Sequence, residues 1–281
     1  MRAVRGFTLI EAVMVIVITG AIAAAVAVFM RAPVEGYFDS ARRAGLTDVA
    51  DTAVRRIARD LHLALPNSVR VAGGNCIEFL PTSANGRYRA EQDCTGACAG
   101  NKLDFINGST SFDYLGGMSA IPAANDRVVV YNLGIPGADA YLNDGSASDN
   151  TALVQAATAS TITLTANKKF PFASPGNHFH VIPNADRVAS YVCSGVGVDA
   201  AGTGTGTLYR YSNYVPSAAM PASCPAPPAG TPILATKVSA CNFSYASGVT
   251  ARSGLASVQI SIQESNEPVS LYQEVHVNNT P

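Results

Sequence analysis

Three regimes of apolar spacing follow one another along the chain. From Phe7 to Phe29 apolar residues run almost unbroken, with Glu11 the single charge. As a helix rising about 1.5 Å per residue this run spans about 35 Å, enough to cross a hydrocarbon core of about 30 Å. From Tyr37 to Leu65 the pattern changes to the helix period. Leu46, Val49, Ala53, Ile57, Leu61 and Leu65 recur every three or four residues, opposite Arg42, Arg43, Arg55, Arg56, Arg59, Asp48, Asp51 and Asp60. This predicts an amphipathic helix with a charged outer face, ended by Pro66-Asn67. Pro33 and Gly36 loosen the spine where it leaves the membrane, because proline lacks a backbone donor and glycine weakens helix.

Beyond Pro66 the helix period disappears. Short β-prone runs alternate with glycine, proline, serine and asparagine clusters. Strands are expected at Cys76–Leu80, Leu103–Ile106, Arg127–Asn132, Thr161–Thr165, His178–Ile182 and Arg187–Cys193. Four more are expected at Thr207–Tyr211, Cys241–Tyr245, Leu255–Gln263 and Val269–Val277. Many strands after one long helix predict an α+β fold with a mainly antiparallel sheet. Leu133 to Ala159 and the proline-rich Val215 to Pro232 read as surface loops, the second tied down through Cys224. No repeat and no second-domain boundary stands out.

Charge then sharpens this picture. The 281 residues are 48% apolar and only 14% charged, with a net charge of -1. That balance excludes a nucleic-acid binder, which needs clustered Lys and Arg to neutralise phosphates. The neutral average hides a basic spine, with nine arginines against six acids in residues 1–70, and a mildly acidic remainder. Met1-Arg2-Ala3-Val4-Arg5-Gly6 is a short basic leader, and positive charge beside a membrane helix stays on the cytoplasmic side. The chain from Arg31 onward then faces out. All six cysteines, Cys76, Cys94, Cys98, Cys193, Cys224 and Cys241, lie in that part and read as disulfides, with fifteen connectivities open. Cys94 and Cys98 can close a small loop.

An ordinary signal peptide with a small-residue cleavage site such as Ala23-Ala24-Ala25 is the plain alternative for the N-terminus. Against it stand the length of the apolar run and Glu11, a carboxylate costing about 2.5–3.5 kcal/mol at the centre of a membrane helix. Gly6-Phe7-Thr8-Leu9-Ile10-Glu11 resembles the class III signal of type IV pilins and pseudopilins. The resemblance implies cleavage by a prepilin peptidase after Gly6 and methylation of the new N-terminal Phe7. It also implies pairing of Glu11 with the terminal amine of a neighbouring subunit. The physics is consistent, since an amine and a carboxylate on adjacent helices relieve each other's desolvation. Gly20 and Ala24, Ala21 and Ala25, and Ala23 and Ala27 are small residues four apart, a spacing that lets helices approach closely.

Past the leader, four stretches resemble the MSHA-pilus biogenesis protein O group, minor pilins of the mannose-sensitive haemagglutinin system. These are Pro33-Val34-Glu35-Gly36-Tyr37, Arg42-Arg43-Ala44, the run Asp51 to Leu61, and Ala64 to Arg70. The resemblance implies a cleaved leader at 1–6, an assembly helix at 7–30, an amphipathic helix at 31–66 and a periplasmic β-rich domain with disulfides at 67–281. It implies a single-pass inner-membrane precursor that enters a pilus or pseudopilus. Its partners would be the prepilin peptidase, other major and minor pilins and an inner-membrane assembly platform. A minor pseudopilin of a type II secretion system shares leader, helix and fold, and a membrane-anchored adhesin that binds glycans is the rival of another class.

Other motifs carry less. Gly202-Thr203-Gly204-Thr205-Gly206-Thr207 lacks the Gly-Lys-Ser/Thr ending of a phosphate loop and precedes a strand-like run. His178 and His180 share a strand face and would need a third ligand to hold metal. Asp139, Asn143, Asp144 and Asp149 crowd one loop as a calcium candidate, without EF-hand spacing. With neither Gly-x-Ser-x-Gly nor His-Glu-x-x-His present, no enzyme and no cofactor is expected.

Overall fold

The computed structural model describes residues 6, 8–144, 146, 149–219, 222–248 and 253–281. It divides into two compact units, residues 1–47 and 48–281, with one helix, α1 (Leu9–His62), running through the division. At 54 residues α1 is about 80 Å long. It passes through Pro33 and Gly36 without a break. Around that point Arg31 and Glu35 pair at 2.9 Å across one turn, and Ser40 Oγ donates to the Gly36 carbonyl. Such local contacts help hold a turn that has lost one backbone donor.

Within residues 48–281, the last turns of α1 bury Ala50, Ala53, Val54, Ile57, Ala58 and Leu61. The expected stripe is displaced at one place, because Val49 is 41% exposed and Ala50 takes the inward position. The helix stops at His62, ahead of the expected Pro66. Leu65 N–H donates to the Leu80 carbonyl at 2.7 Å and Thr82 N–H to the Leu63 carbonyl at 2.8 Å, so strand-like pairing takes over the backbone groups that helix would have used.

Thirteen strands follow among the described residues. They are β1 (Arg70–Ala72), β2 (Cys76–Phe79), β3 (Ala84–Tyr88), β4 (Ser109–Leu115), β5 (Arg127–Val130), β6 (Thr151–Ala157) and β7 (Thr161–Lys168). The remaining six are β8 (His178–Ile182), β9 (Ala189–Ser194), β10 (Gly206–Ser212), β11 (Ile233–Ala246), β12 (Gly254–Glu264) and β13 (Glu267–Val277). The fold is α+β, and every strand pairing is antiparallel.

The strands form two sheets where the sequence suggested one. A seven-stranded sheet runs β1-β2-β9-β10-β11-β12-β13, and β3-β4-β7-β6-β5-β8 closes into a barrel. The whole barrel is inserted between β2 and β9, which pair with each other from Cys76↔Val192 to Phe79↔Ala189. Entry and exit therefore lie side by side, and each connection is only a few residues long. No linker marks the boundary in the sequence. Closure leaves the barrel without edges that would invite other strands.

The barrel interior packs Tyr88, Phe112, Tyr114, Val128, Val154 and Phe179 among its buried residues. Phe179 is fully buried and meets Phe112 edge-on at 5.5 Å and Tyr114 at 6.2 Å between ring centres. A second apolar cluster, including Leu65, Leu80, Val129, Tyr141, Ile182 and Val188, draws on both the barrel and the segments around the sheet. Leu103–Ile106 is a turn instead of a strand. The Asp104 carboxylate accepts the Ile106 and Asn107 amides at 2.7 and 2.9 Å, which holds its pKa down to about 2.

Candidate functional site

The described start of the chain holds Gly6, Thr8 and Glu11, all exposed, whereas Phe7 and residues 1–5 lie outside the described residues. Thr8 caps the helix. Its Oγ1 accepts the Glu11 amide at 3.4 Å, and its carbonyl accepts the Ala12 amide at 3.2 Å. Thr8-x-x-Glu11 has the capping-box spacing, so Glu11 stands in the first turn, where the helix dipole favours a negative charge. The cap was legible in the sequence as Thr followed three residues later by Glu, and the expectation attended only to the glutamate.

Above this turn the helix is apolar on every side. Leu9, Ile10, Ile16, Val17, Val28 and Phe29 are 63–85% exposed. Each such side chain gains about 1.5–3 kcal/mol on leaving water, so the surface demands lipid or neighbouring helices. Thr19, the one hydroxyl in the middle of the run, bonds the Val15 carbonyl of its own helix at 2.6 Å. A Cβ built on Gly20 meets nothing within 4 Å, so the small-residue stripe is open. Charge resumes at the Arg31–Glu35 pair. The apolar stretch is long enough to cross a membrane.

Residues 1–27 match the prokaryotic N-terminal methylation motif. No curated protein and no solved structure matches the chain. The motif supports a type IV pilin or pseudopilin and implies processing by a prepilin peptidase in a pilus-assembly context. With the apolar helix, it fits a pilin anchored in a membrane.

In the head, residues 48–281, the six cysteines form three disulfides. Cys76–Cys224 ties the proline-rich stretch to β2, Cys193–Cys241 joins β9 to β11 on either side of β10, and Cys94–Cys98 closes a small exposed loop. In the loop-entropy account they stabilise by about 5, 4 and 2 kcal/mol, following their separations of 148, 48 and 4 residues.

Two buried polar networks went unforeseen. Asp60 was expected on the solvent face of α1. It points inward instead, accepting from Tyr191 Oη at 2.7 Å and from Arg210 Nε at 2.8 Å, while Arg210 also reaches Asp186 at 2.6 Å. Its place between Ile57 and Leu61 was the available signal. The two carboxylates raise the Arg210 pKa, and burial raises that of Tyr191. In the second network Arg70 pairs with Glu78 at 2.5 Å and stacks on Tyr141 at 3.5 Å, and Glu78 accepts from Tyr214, which also bonds Ser190. Both networks connect elements of the head, and Arg70 and Tyr141 of the second also line a 510 Å³ cleft with Asn67, Asp139 and Tyr245.

The remaining candidates are accounted for locally. Gly202, Gly204 and their neighbours form a turn in which the Asp199 carboxylate accepts the Ala201 and Thr203 amides. The Gly204 amide bonds the Gln263 carbonyl, so these donors do not cradle a phosphate. His178 is exposed and His180 half-buried, with burial and the nearby His178 pushing His180 down to about 4. Among the described residues no three His, Cys, Asp or Glu side chains come together as a metal site. Of the calcium candidates, Asp139 accepts the Tyr141 amide, Asp144 the Ser146 amide and Asp149 the Thr151 amide. Arg127 and Lys168 face Asp149, which opposes a cation there.

Proposed function

We propose that the chain is a minor pilin, a structural and non-enzymatic subunit of a type IV pilus of the MSHA kind that acts in assembly and initiation. The leader 1–6 is removed between Gly6 and Phe7, and Phe7 is N-methylated. Residues 7–30 are the membrane and assembly helix, 31–66 continue it as an amphipathic helix, and 67–281 form a periplasmic β-rich domain. The match of residues 1–27 to the methylation motif is the observation that carries this reading.

Cleavage creates a positive amine at the positive end of a helix dipole, an unfavourable pairing that a carboxylate relieves. Glu11 is four residues along, and in a packed filament the nearest amine of an adjacent, axially shifted subunit serves the same need. An apolar helix exposed on all sides supports burial among several such helices. A minor pseudopilin of a type II secretion system shares these features and is the alternative.

The deciding measurement is the intact mass of the protein from cells with and without prepilin peptidase. Loss of residues 1–6 and gain of one methyl group only where the peptidase is present is expected; retention of Met1 to Gly6 in both overturns the reading. Glu11→Ala should leave cleavage intact and reduce incorporation into filaments, and normal incorporation contradicts the pairing.

A further inference from the structure

β13 is the last strand of the seven-stranded sheet, and among the described strands it pairs with β12 alone. Its register runs unbroken from Glu264↔Glu267 to Gly254↔Val277. Ser265 and Asn266, the two residues of the connecting turn, have φ of 51° and 64°, as a type I′ turn requires. Such a turn closes on a hydrogen-bonded pair, here Glu264 and Glu267, so odd-numbered residues of β13 bond β12 and even-numbered ones turn N–H and C=O to the free edge. Pro268 falls at an outward position, where its missing donor costs the sheet nothing. The outward N–H groups are those of Ser270, Tyr272, Glu274 and His276, all exposed residues.

A long edge is usually blunted by lysine, a bulge or a covering segment. β13 has only Pro268 and Glu267 at its start, and Val269 and Leu271, on the face that carries buried Val275 and Val277, are left half-buried at the rim of the core. The opposite edge is treated differently. β1 is three residues long, the Cys224 sulfur lies 3.4 Å from its Ala72 carbonyl, and Arg70 is tied to the Ser217 carbonyl at 2.6 Å. Head-to-tail continuation of the sheet from one copy to the next therefore has almost no strand to join. Among the described residues, the free edge of matching length on a second copy is β13 itself.

We propose that this edge is an interface whose occupant is β13 of a second copy, antiparallel about a two-fold axis through Gln273. Centred there, every outward N–H meets a carbonyl, because Ser270 stands opposite the partner's His276 and Tyr272 opposite the partner's Glu274. Leu271 falls beside the partner's Val275 and Val269 beside the partner's Val277, so the half-buried pair gains apolar cover. Centring on Tyr272 would instead set Leu271 against Gln273, and Pro268 against His276 with one carbonyl unpaired. The two Glu274 carboxylates become diagonal neighbours about 7 Å apart in water, a small repulsion. The axis also reverses the direction of residues 48–62 of α1, held on this sheet by Asp60 with Tyr191 and Arg210, so paired copies have opposite polarity. Under the pilin reading the contact joins two filaments and not neighbours within one; the strand pairing itself does not depend on that reading.

The test uses the full oxidised chain in detergent. Gln273 and its mate form a non-hydrogen-bonded antiparallel pair with Cα atoms about 4.5 Å apart, within disulfide reach. Gln273→Cys should give a covalent dimer on mild oxidation, and Tyr272→Cys should not. Tyr272→Pro removes an outward donor without touching the β12 ladder, and should weaken dimerisation in sedimentation equilibrium by at least about tenfold, the effect of losing two backbone bonds per dimer. Ser270→Pro should do the same and serves if Tyr272→Pro alters the circular dichroism. Absence of a dimer, cross-linking of Tyr272→Cys in place of Gln273→Cys, or a dimer unweakened by either proline, as association through the apolar helix would give, each overturns the proposal. Leader processing, read by intact mass, is separate from all these substitutions, so the interface and the pilin reading fail independently.

Discussion

Residues 9–30 and residues 48–281 solve opposite problems with the same apolar side chains. In the head, Ile57, Phe79, Phe112 and Phe179 are fully buried, while in the helix Leu9, Ile10 and Phe29 are more than 70% exposed. The head supplies its own low-dielectric interior, ties it with three disulfides and pairs its inward charges. The apolar stretch of the helix supplies none of this; its described side chains are exposed and it is long enough to cross a membrane. An apolar substitution should therefore matter to folding in one region and to residence or assembly in the other.

The sharpest way to break this contrast is to truncate one large side chain in each. Phe179→Ala opens a cavity among Phe112 and Tyr114 and should destabilise the head by about 3–5 kcal/mol in denaturant unfolding. Ile16→Ala should leave that unfolding midpoint unchanged, because Ile16 is 69% exposed. A comparable loss from both would mean that the helix is part of the head's cooperative unit. Next in size is Arg210→Met, which strands Asp60 and Asp186 beside Tyr191 without their cation. Removal of one partner from a buried pair typically costs about 3 kcal/mol or more. Arg55→Met, whose partner Asp51 is solvent-facing at 2.6 Å, should cost under about 1 kcal/mol by the same unfolding assay.

The N-terminal half of this division was the more legible in the sequence. A membrane run, an amphipathic stretch and the Gly6-to-Glu11 signal are local patterns, and local patterns survive without tertiary information. The helix, the fold class and the positions of most strands followed from them. The barrel did not. β3, with Asn85-Gly86 in mid-strand, and β6, inside a stretch read as a loop, lack strong alternation because closure and neighbouring strands hold them. The insertion point was invisible for a topological reason, since β2 and β9 are adjacent and need no linker. The polar networks escaped because Asp60, Arg70 and Glu78 look like surface charges until the strands opposite them are known.

Disulfide loss should also grade by location. Cys94→Ser with Cys98→Ser opens a ring of only four residues' separation on an exposed loop, and the loop-entropy account gives about 2 kcal/mol. The double variant should remain folded, with near-native circular dichroism and a modestly lower midpoint. Unfolding as severe as that of Phe179→Ala would show that the loop organises the barrel.

The smallest effect tests the boundary of the helix itself. Thr8→Ala removes the oxygen that accepts the Glu11 amide, and loss of such a cap costs about 1 kcal/mol, or roughly a fivefold shift in a local opening equilibrium. Amide exchange at Glu11 and Ala12 in detergent should quicken by about that factor while the head's exchange stays unchanged. If Glu11 serves chiefly as a capping-box acid, Glu11→Gln should quicken the same amides and leave filament incorporation normal. If it serves chiefly as the partner of a neighbour's amine, Thr8→Ala should leave incorporation nearly intact and Glu11→Gln should lower it. The two substitutions thus separate what α1 does for itself from what it requires of its surroundings.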